Sequence, residues 1–287
     1  IYSSEVRVHL VGSVDENLYP ALGNVVRSID DHHPDNAAEA EKFMDDLKME
    51  VVNSETNLDL YLNMHMNWAE TKDGSISRVF AIDTHTGQRH IFEGLWFADC
   101  TGDGTLGHLA GADYRYGRES REETGEPSAP VEADQLTMGS SNLWRSFEGD
   151  SASTFPECEW ALQFTDAYYL DQVKADWRWE SGFEKHIIDD AEQVRDHNLR
   201  AIFGNWSYLK NNHHEKYEKR QLEWIAHVAG KRESRRILGD IILSELDILN
   251  KVEYDDAAVT LTWGIDVHFA DTLNSKFFPG EEFISWY

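Results

Sequence analysis

The chain has little cysteine and no long apolar run, and each absence excludes a class of protein. Its 287 residues include two cysteines, Cys100 and Cys158. Two cysteines do not form the dense framework that staples small secreted domains, so we expect a fold that does not depend on disulfides. No apolar run approaches the roughly 18 residues of a membrane-spanning helix. The sequence therefore predicts no membrane partner.

Basic charge is also scarce. Lysine and arginine number 26 against 53 aspartate and glutamate residues, which gives a net charge of −27. Nucleic acids and anionic membranes bind cationic surfaces, so the charge argues against both as partners. Two adjacent histidine pairs, His32-His33 and His213-His214, have no cysteine or carboxylate at the usual ligand spacings. We therefore predict no metal site.

The most informative segment runs from Leu95 to Gly117 and reads LWFADCTGDGTLGHLAGADYRYG. An apolar run stops at Thr101–Gly104, and a helical pattern of small residues follows. The pattern predicts a strand over residues 88–99, a tight glycine turn and a helix start. Such a turn can bring backbone N–H groups against a phosphate. From spacing alone, a cofactor contact and an ordinary strand–helix turn both remain open.

Glycines 102, 104 and 107 also spell G-x-G-x-x-G. The first fingerprint of a dinucleotide-binding fold needs a second strand soon after the helix. Here residues 115–131 are charged and contain two prolines. The segment is therefore not interpreted as that first fingerprint.

Periodicity outlines the rest of the chain. Three strands in meander order are predicted at residues 57–68, 75–83 and 88–99, with glycine-containing hairpin turns between them. Helices are predicted at residues 37–52, 189–203 and 217–228. The apolar run over residues 237–248 fits either a strand or a helix. The fold class predicted from these elements is α/β.

The segment ADCTGDGTLGHLAGADYRYGRE resembles a "DATGDG" block of the FAD-dependent oxidoreductase family, which comprises flavoproteins of the glutathione-reductase-like Rossmann type. Further blocks resemble this family in the same order along the chain. They are Ser3–Gly12, Trp177–Gly182, Ala191–Asn211, Gly230–Ile248 and Trp263–His268.

The resemblance implies a domain organisation. Residues 1–117 would form a partial FAD-binding Rossmann-type domain with its three-stranded β-meander, and residues 118–287 a mostly helical cap and substrate region. In the family, one flavin-contacting glycine motif precedes the first block and another follows the last. The chain is therefore expected to be an internal fragment that binds FAD weakly or not at all.

The resemblance also assigns site residues. Met66 would present its backbone to the adenine, although the same side chain can also pack in the core. Contacts to FAD are expected from Ser3, Ser4, Met66, Thr101, Gly102, Asp103 and Gly104.

Candidates for catalysis come from three further segments. Arg7 and His9 share one face of a predicted strand, and His9 could transfer a proton. His268 follows Asp266 by two residues, which suits either an acid–base pair or a surface pair. Structural roles remain open for both histidines.

The segment Lys231–Arg236 is the sharpest basic cluster of this acidic chain. Arg232, Arg235 or Arg236 could orient an anionic or polyol substrate, or the flavin, through a planar guanidinium. The alternative is a set of ion pairs with Glu233 and Asp240. Arg235 is taken as the catalytic candidate of this cluster.

The function predicted by the resemblance is oxidation or reduction of a small polar substrate by hydride transfer to or from FAD. Ten tryptophans beside many carboxylates suggest a second possibility, a sugar-binding or glycoside-hydrolysing protein. The same tryptophans could simply pack between helices. A non-catalytic interaction domain is a third possibility.

Overall fold

The computed structural model describes residues 27–29, 35, 37–175, 179–256, 265–268 and 283–286. Of the predicted site residues, Ser3, Ser4, Arg7 and His9 lie outside the described residues. His268 belongs to a described strand, but its side chain lies outside the description.

Helices account for a minority of the described chain. Besides a short 3-10 helix at Ala40–Phe43, they are α1 (Asp45–Ser54), α2 (Thr105–Leu109), α3 (Arg121–Thr124), α4 (Ala191–Asn212), α5 (His214–Tyr217) and α6 (Glu245–Leu249). The first predicted helix is present as the 3-10 turn and α1, with the left-handed Met44 (φ 52°) between them. Helix α4 continues nine residues beyond the predicted end at residue 203.

The strands are short and pair only in antiparallel fashion among the described residues. They are β1 (Met64–Lys72), β2 (Ser75–Asp83), β3 (Arg89–Glu93), β4 (Tyr114–Arg115), β5 (Ser140–Ser141), β6 (Trp144–Glu148), β7 (Lys174–Ala175), β8 (Glu180–Ser181), β9 (Arg220–Ile225), β10 (Arg236–Ile237), β11 (Ile265–His268) and β12 (Phe283–Trp286). Two sheets have three strands, in the orders β1-β2-β3 and β7-β6-β9. The mixture of helices and small sheets is consistent with an α/β fold, and the Rossmann-type arrangement stays a prediction.

The sheet β1-β2-β3 shows why its sequence folds as it does. Asp73 and Gly74 join β1 to β2 with φ values of 52° and 78°, which suits the right-handed twist of a two-residue hairpin. The register of β1 shifts between Met66 and Trp68. Because the extra residue reverses the alternation, the inward face passes from Met66 to the buried Ala69, and Trp68 is left exposed.

The predicted strand over residues 88–99 is corrected in its second half. Strand β3 ends at Glu93, and the side chains of Leu95 and Trp96 are 94% and 92% exposed. An apolar run forms a central strand only when neighbouring strands hydrogen-bond to it and cover its faces. Residues 94–100 have no paired strand in the described part of the chain, so this run is irregular.

The expectation of a mostly helical region after residue 118 is wrong for the described residues. Only α4 exceeds five residues there, and small sheets and irregular segments make up most of the remainder. Residues 220–225 form strand β9 instead of the predicted helix, because β9 pairs with β6 and packs Leu222 and Ile225 against the core around α4. Tertiary pairing overrides local periodicity at this position.

The chain divides into two compact units, each assembled from separate segments. The first comprises the described residues within Ile1–Val51, Leu136–Arg232 and Glu253–Tyr287, and the second those within Val52–Gln135 and Glu233–Val252. The division at residue 117 into cofactor and cap regions therefore stays a prediction about function.

Each unit has its own core. In the first unit, the indole rings of Trp144 and Trp206 lie 5.7 Å apart at the inner face of α4, and both are 1% exposed. In the second, Leu106 of α2 packs with Ala69 and Val79 of the sheet β1-β2-β3. Among the described helices, none combines the length and apolarity needed to cross a membrane.

Candidate functional site

The segment Thr101–Gly104 forms the predicted turn in the second unit, directly before α2. Gly102 and Gly104 have φ values of 80° and 57°, a backbone region that glycine enters without steric strain. A Cβ atom on Gly104 would lie 2.8 Å from Cγ1 of Ile237, so this glycine is packed against a side chain. A Cβ on Gly102 would have no heavy atom of the described residues within 4 Å. The open side of the turn is therefore at Gly102.

The carboxylate of Asp99 occupies much of the start of α2. Its Oδ1 accepts hydrogen bonds from the amide of Thr101 at 3.0 Å and the hydroxyl of Thr101 at 2.7 Å, and its Oδ2 accepts from the amide of Gly107 at 3.0 Å. The Thr101 hydroxyl in turn accepts from the amide of Thr105 at 2.9 Å. Side chains of the turn therefore already accept the hydrogen bonds of the Thr101, Thr105 and Gly107 amides.

These bonds change the acidity of Asp99. Burial by itself would raise the pKa of its carboxyl group, but the bonds donated by Thr101, Gly107 and Leu106 outweigh burial and hold the pKa below its ordinary value. The ionised carboxylate is therefore part of the folded turn. The sequence signal for this cap was the Asp-x-Thr spacing, which is typical of an aspartate that bonds to the backbone two residues on.

We expect the turn to loosen in acid as Asp99 becomes protonated. When folding lowers the pKa of a carboxyl group, the ionised group stabilises the fold at pH values above its pKa in the unfolded chain. This stabilisation is lost as the pH falls through the pKa of the folded state, which for Asp99 lies below 3.8. The amide proton signals of Thr101 and Gly107, followed by NMR, should report the transition.

Two variants complete this acid titration. Asp99→Asn should remove the transition, whereas Asp73→Asn in the β1–β2 hairpin should leave it in place. A midpoint above 3.8 in the unmodified protein would contradict the cap.

Asp103 is held from the opposite side by residues far along the chain. The buried Ser234 hydroxyl donates to Oδ1 of Asp103 at 2.8 Å, and Nη1 of Arg235 donates to the Asp103 carbonyl oxygen at 3.1 Å. The Arg235 guanidinium also lies over the ring of Tyr114, 5.7 Å from its centroid. The structure thus brings the predicted residue Arg235 to the predicted turn. Ser234 was missed, because no local pattern distinguishes a serine that meets a distant carboxylate.

Met66 lies in the same unit as the turn. Its side chain is half-buried and packs against the cluster that contains Leu106 of α2. The Met66 side chain therefore packs against the core, which is one of the two possibilities that the sequence left open. A role of its backbone at the adenine is compatible with this packing and stays a prediction.

The other arginines of the basic cluster are engaged in ion pairs. Nε of Arg232 donates to the fully buried carboxylate of Glu180 at 2.7 Å, within the first unit. Nη2 of Arg236 donates to Oε1 of Glu119 at 2.6 Å, within the second. Ion pairing was one of the two predicted possibilities, but the carboxylates differ from the proposed Glu233 and Asp240.

Several tryptophans of the first unit are too buried to stack on a ligand. Trp144, Trp179 and Trp206 are at most 3% exposed and contact one another in the core. Trp160 differs, with 57% of its surface exposed. No group of three or more metal-ligating side chains occurs among the described residues.

The turn fits one part of a dinucleotide cofactor. Gly102 presents a backbone that a phosphate oxygen could approach closely, since no side-chain atom of the described residues blocks it. The amides of Thr101, Thr105 and Gly107 are already used, so the fit concerns the exposed turn and not the helix end.

Comparison with known proteins gives the wider context. The family model described as FAD dependent oxidoreductase matches residues 16–283. A search of curated proteins found no match, and a search of solved structures found none either. The family match includes the glycine turn, Met66 and the Ser234–Arg235 segment. The chain belongs to the FAD dependent oxidoreductase family, whose cofactor is FAD.

Proposed function

We propose that this protein takes part in hydride transfer between FAD and a small polar substrate. The family match over residues 16–283 is the observation that carries the proposal. FAD supplies the hydride-accepting ring, while the protein must bind the dinucleotide, orient the substrate and move protons.

The residues proposed to hold FAD fall into two groups. In the described part, the Thr101–Gly104 turn would contact the diphosphate and the backbone of Met66 the adenine. These positions share one compact unit, which supports the proposal. Ser3 and Ser4 are further proposed contacts outside the described residues.

The proposed substrate groups are Arg7, His9 and His268. His9 would exchange a proton with the substrate, and Arg7 would orient a polar or anionic group of it. His268 is a second candidate for proton transfer. Arg235 was also a catalytic candidate, but its bond to the turn favours a role on the cofactor side.

The proposal can be tested by adding FAD to isotope-labelled protein and following its amide signals by NMR. Such spectra detect millimolar affinity, which corresponds to about −4 kcal/mol, so even weak binding is measured. We expect saturable shifts centred on residues 101–104 and on the strand around Met66. Shifts confined to the first unit, or none at all, would contradict the assignment of the turn to FAD.

A further inference from the structure

The glycine turn carries two carboxylates beside the position proposed for the FAD diphosphate. Asp99 and Asp103 both lie at the turn, and FAD brings two phosphate charges. Like charges a few ångströms apart repel strongly near a protein surface. The directions in which the two carboxylates are held therefore decide whether an anion can approach Gly102.

Both carboxylates are engaged within the protein. Asp99 accepts three bonds from Thr101 and Gly107. Asp103 accepts the Ser234 hydroxyl at 2.8 Å, and its carbonyl oxygen accepts Nη1 of Arg235 at 3.1 Å. Ser234 is 2% exposed, so it cannot contact a ligand itself.

The segment that carries these two residues is anchored by the residues that directly follow them. Arg236 and Ile237 form strand β10, which pairs with Arg115 and Tyr114 of β4. The Ile237 side chain fills the space where Gly104 and Gly107 lack a Cβ. Residues 234–237 therefore pack against the turn and hold it in place.

We propose that Ser234 and Arg235 are positioning residues, which hold the Asp103 carboxylate and backbone so that an anionic dinucleotide can approach Gly102. The inference rests on the proposed function, because it assigns the diphosphate to this turn. Ser234 acts through Asp103 and does not touch the ligand. Arg235 adds a positive charge beside the turn and fixes the Asp103 peptide.

The decisive experiment is a double-mutant cycle on FAD affinity measured by the NMR titration. Loss of the Ser234 hydroxyl removes a hydrogen bond that directs the Asp103 carboxylate, so Ser234→Ala should raise the dissociation constant about fivefold. In the background of Asp103→Asn the charge is gone, and Ser234→Ala should then change affinity less than about twofold. A purely structural serine would weaken binding equally in both backgrounds, which would overturn the proposal.

Matched variants separate this role from general effects. Ser77→Ala removes a serine hydroxyl of the same unit that donates to the backbone carbonyl of Glu70 at 3.2 Å, and this variant should leave FAD affinity unchanged. Arg235→Met should weaken binding about fivefold. Arg78→Lys, at an exposed ion pair, serves as its control. If Ser77→Ala and Arg78→Lys lowered FAD affinity as much as Ser234→Ala and Arg235→Met, the proposal would be contradicted.

A second measurement on the protein without FAD distinguishes this inference from the proposed function. Ser234→Ala should accelerate hydrogen exchange of the Gly107 amide about fivefold, and Ser234→Thr, which keeps the hydroxyl, should restore it. If FAD does not bind but exchange responds as expected, the proposed function fails and the positioning of the turn stands. If exchange is unchanged, the positioning role is overturned whatever the affinity.

Discussion

Replacing Gly102 with alanine is expected to lower the affinity for FAD about thirtyfold. This factor corresponds to the loss of one hydrogen bond between the turn and a charged phosphate, which contributes about 2 kcal/mol. Gly102 has φ 80°, and its open side is where a phosphate oxygen would approach. A Cβ atom there would project into that space and strain the backbone as well. Amide shifts during an FAD titration measure the change.

Gly125→Ala provides the matched control for Gly102→Ala. Gly125 follows α3 in the same unit and has φ 72°, and in the part of the chain that the structure describes no heavy atom lies within 4 Å of an ideal Cβ there. The backbone strain of about 1–2 kcal/mol is therefore shared, but Gly125 is not part of the turn. Equal losses of affinity in both variants would trace the effect to stability and remove the evidence for contact at Gly102.

The second large effect concerns Gly204 in the middle of α4. An alanine Cβ there would lie 1.9 Å from the carbonyl oxygen of Leu162, far inside any real contact. Alanine would gain up to about 1 kcal/mol from helix propensity. The backbone of residue 162 cannot rotate away like a side chain, so the clash dominates and Gly204→Ala should destabilise the protein by roughly 3 kcal/mol.

Urea denaturation followed by tryptophan fluorescence tests this expectation, because Trp206 lies on the same helix and is buried. Asn212→Ala, at the exposed end of α4, gains propensity without a clash and should stay within about 0.5 kcal/mol of the unmodified protein. An unchanged urea midpoint for Gly204→Ala would contradict this prediction, because it would mean that the backbone at Leu162 moves away from α4 without loss of stability.

The fold was predictable where neighbouring residues decide the structure. The hairpin at Asp73-Gly74 needs two residues with positive φ, and the sequence supplies them. Helix α4 has a long amphipathic pattern, so its existence was predicted, but it begins two residues later and ends nine residues later than predicted. Residues 217–228 show the limit, because a helical pattern there yields to pairing of β9 with β6.

By itself, the sequence determined the glycine turn, its place before a helix and the family that its ordered blocks indicate. These depend on residue type over a few positions, because positive φ values and small side chains are read locally. Tertiary structure alone decided that Ser234 meets Asp103, 131 residues away, and that Glu180 receives Arg232. Such contacts depend on how distant segments pack. The local periodicity of a sequence does not indicate which distant residue a side chain will contact in the folded protein.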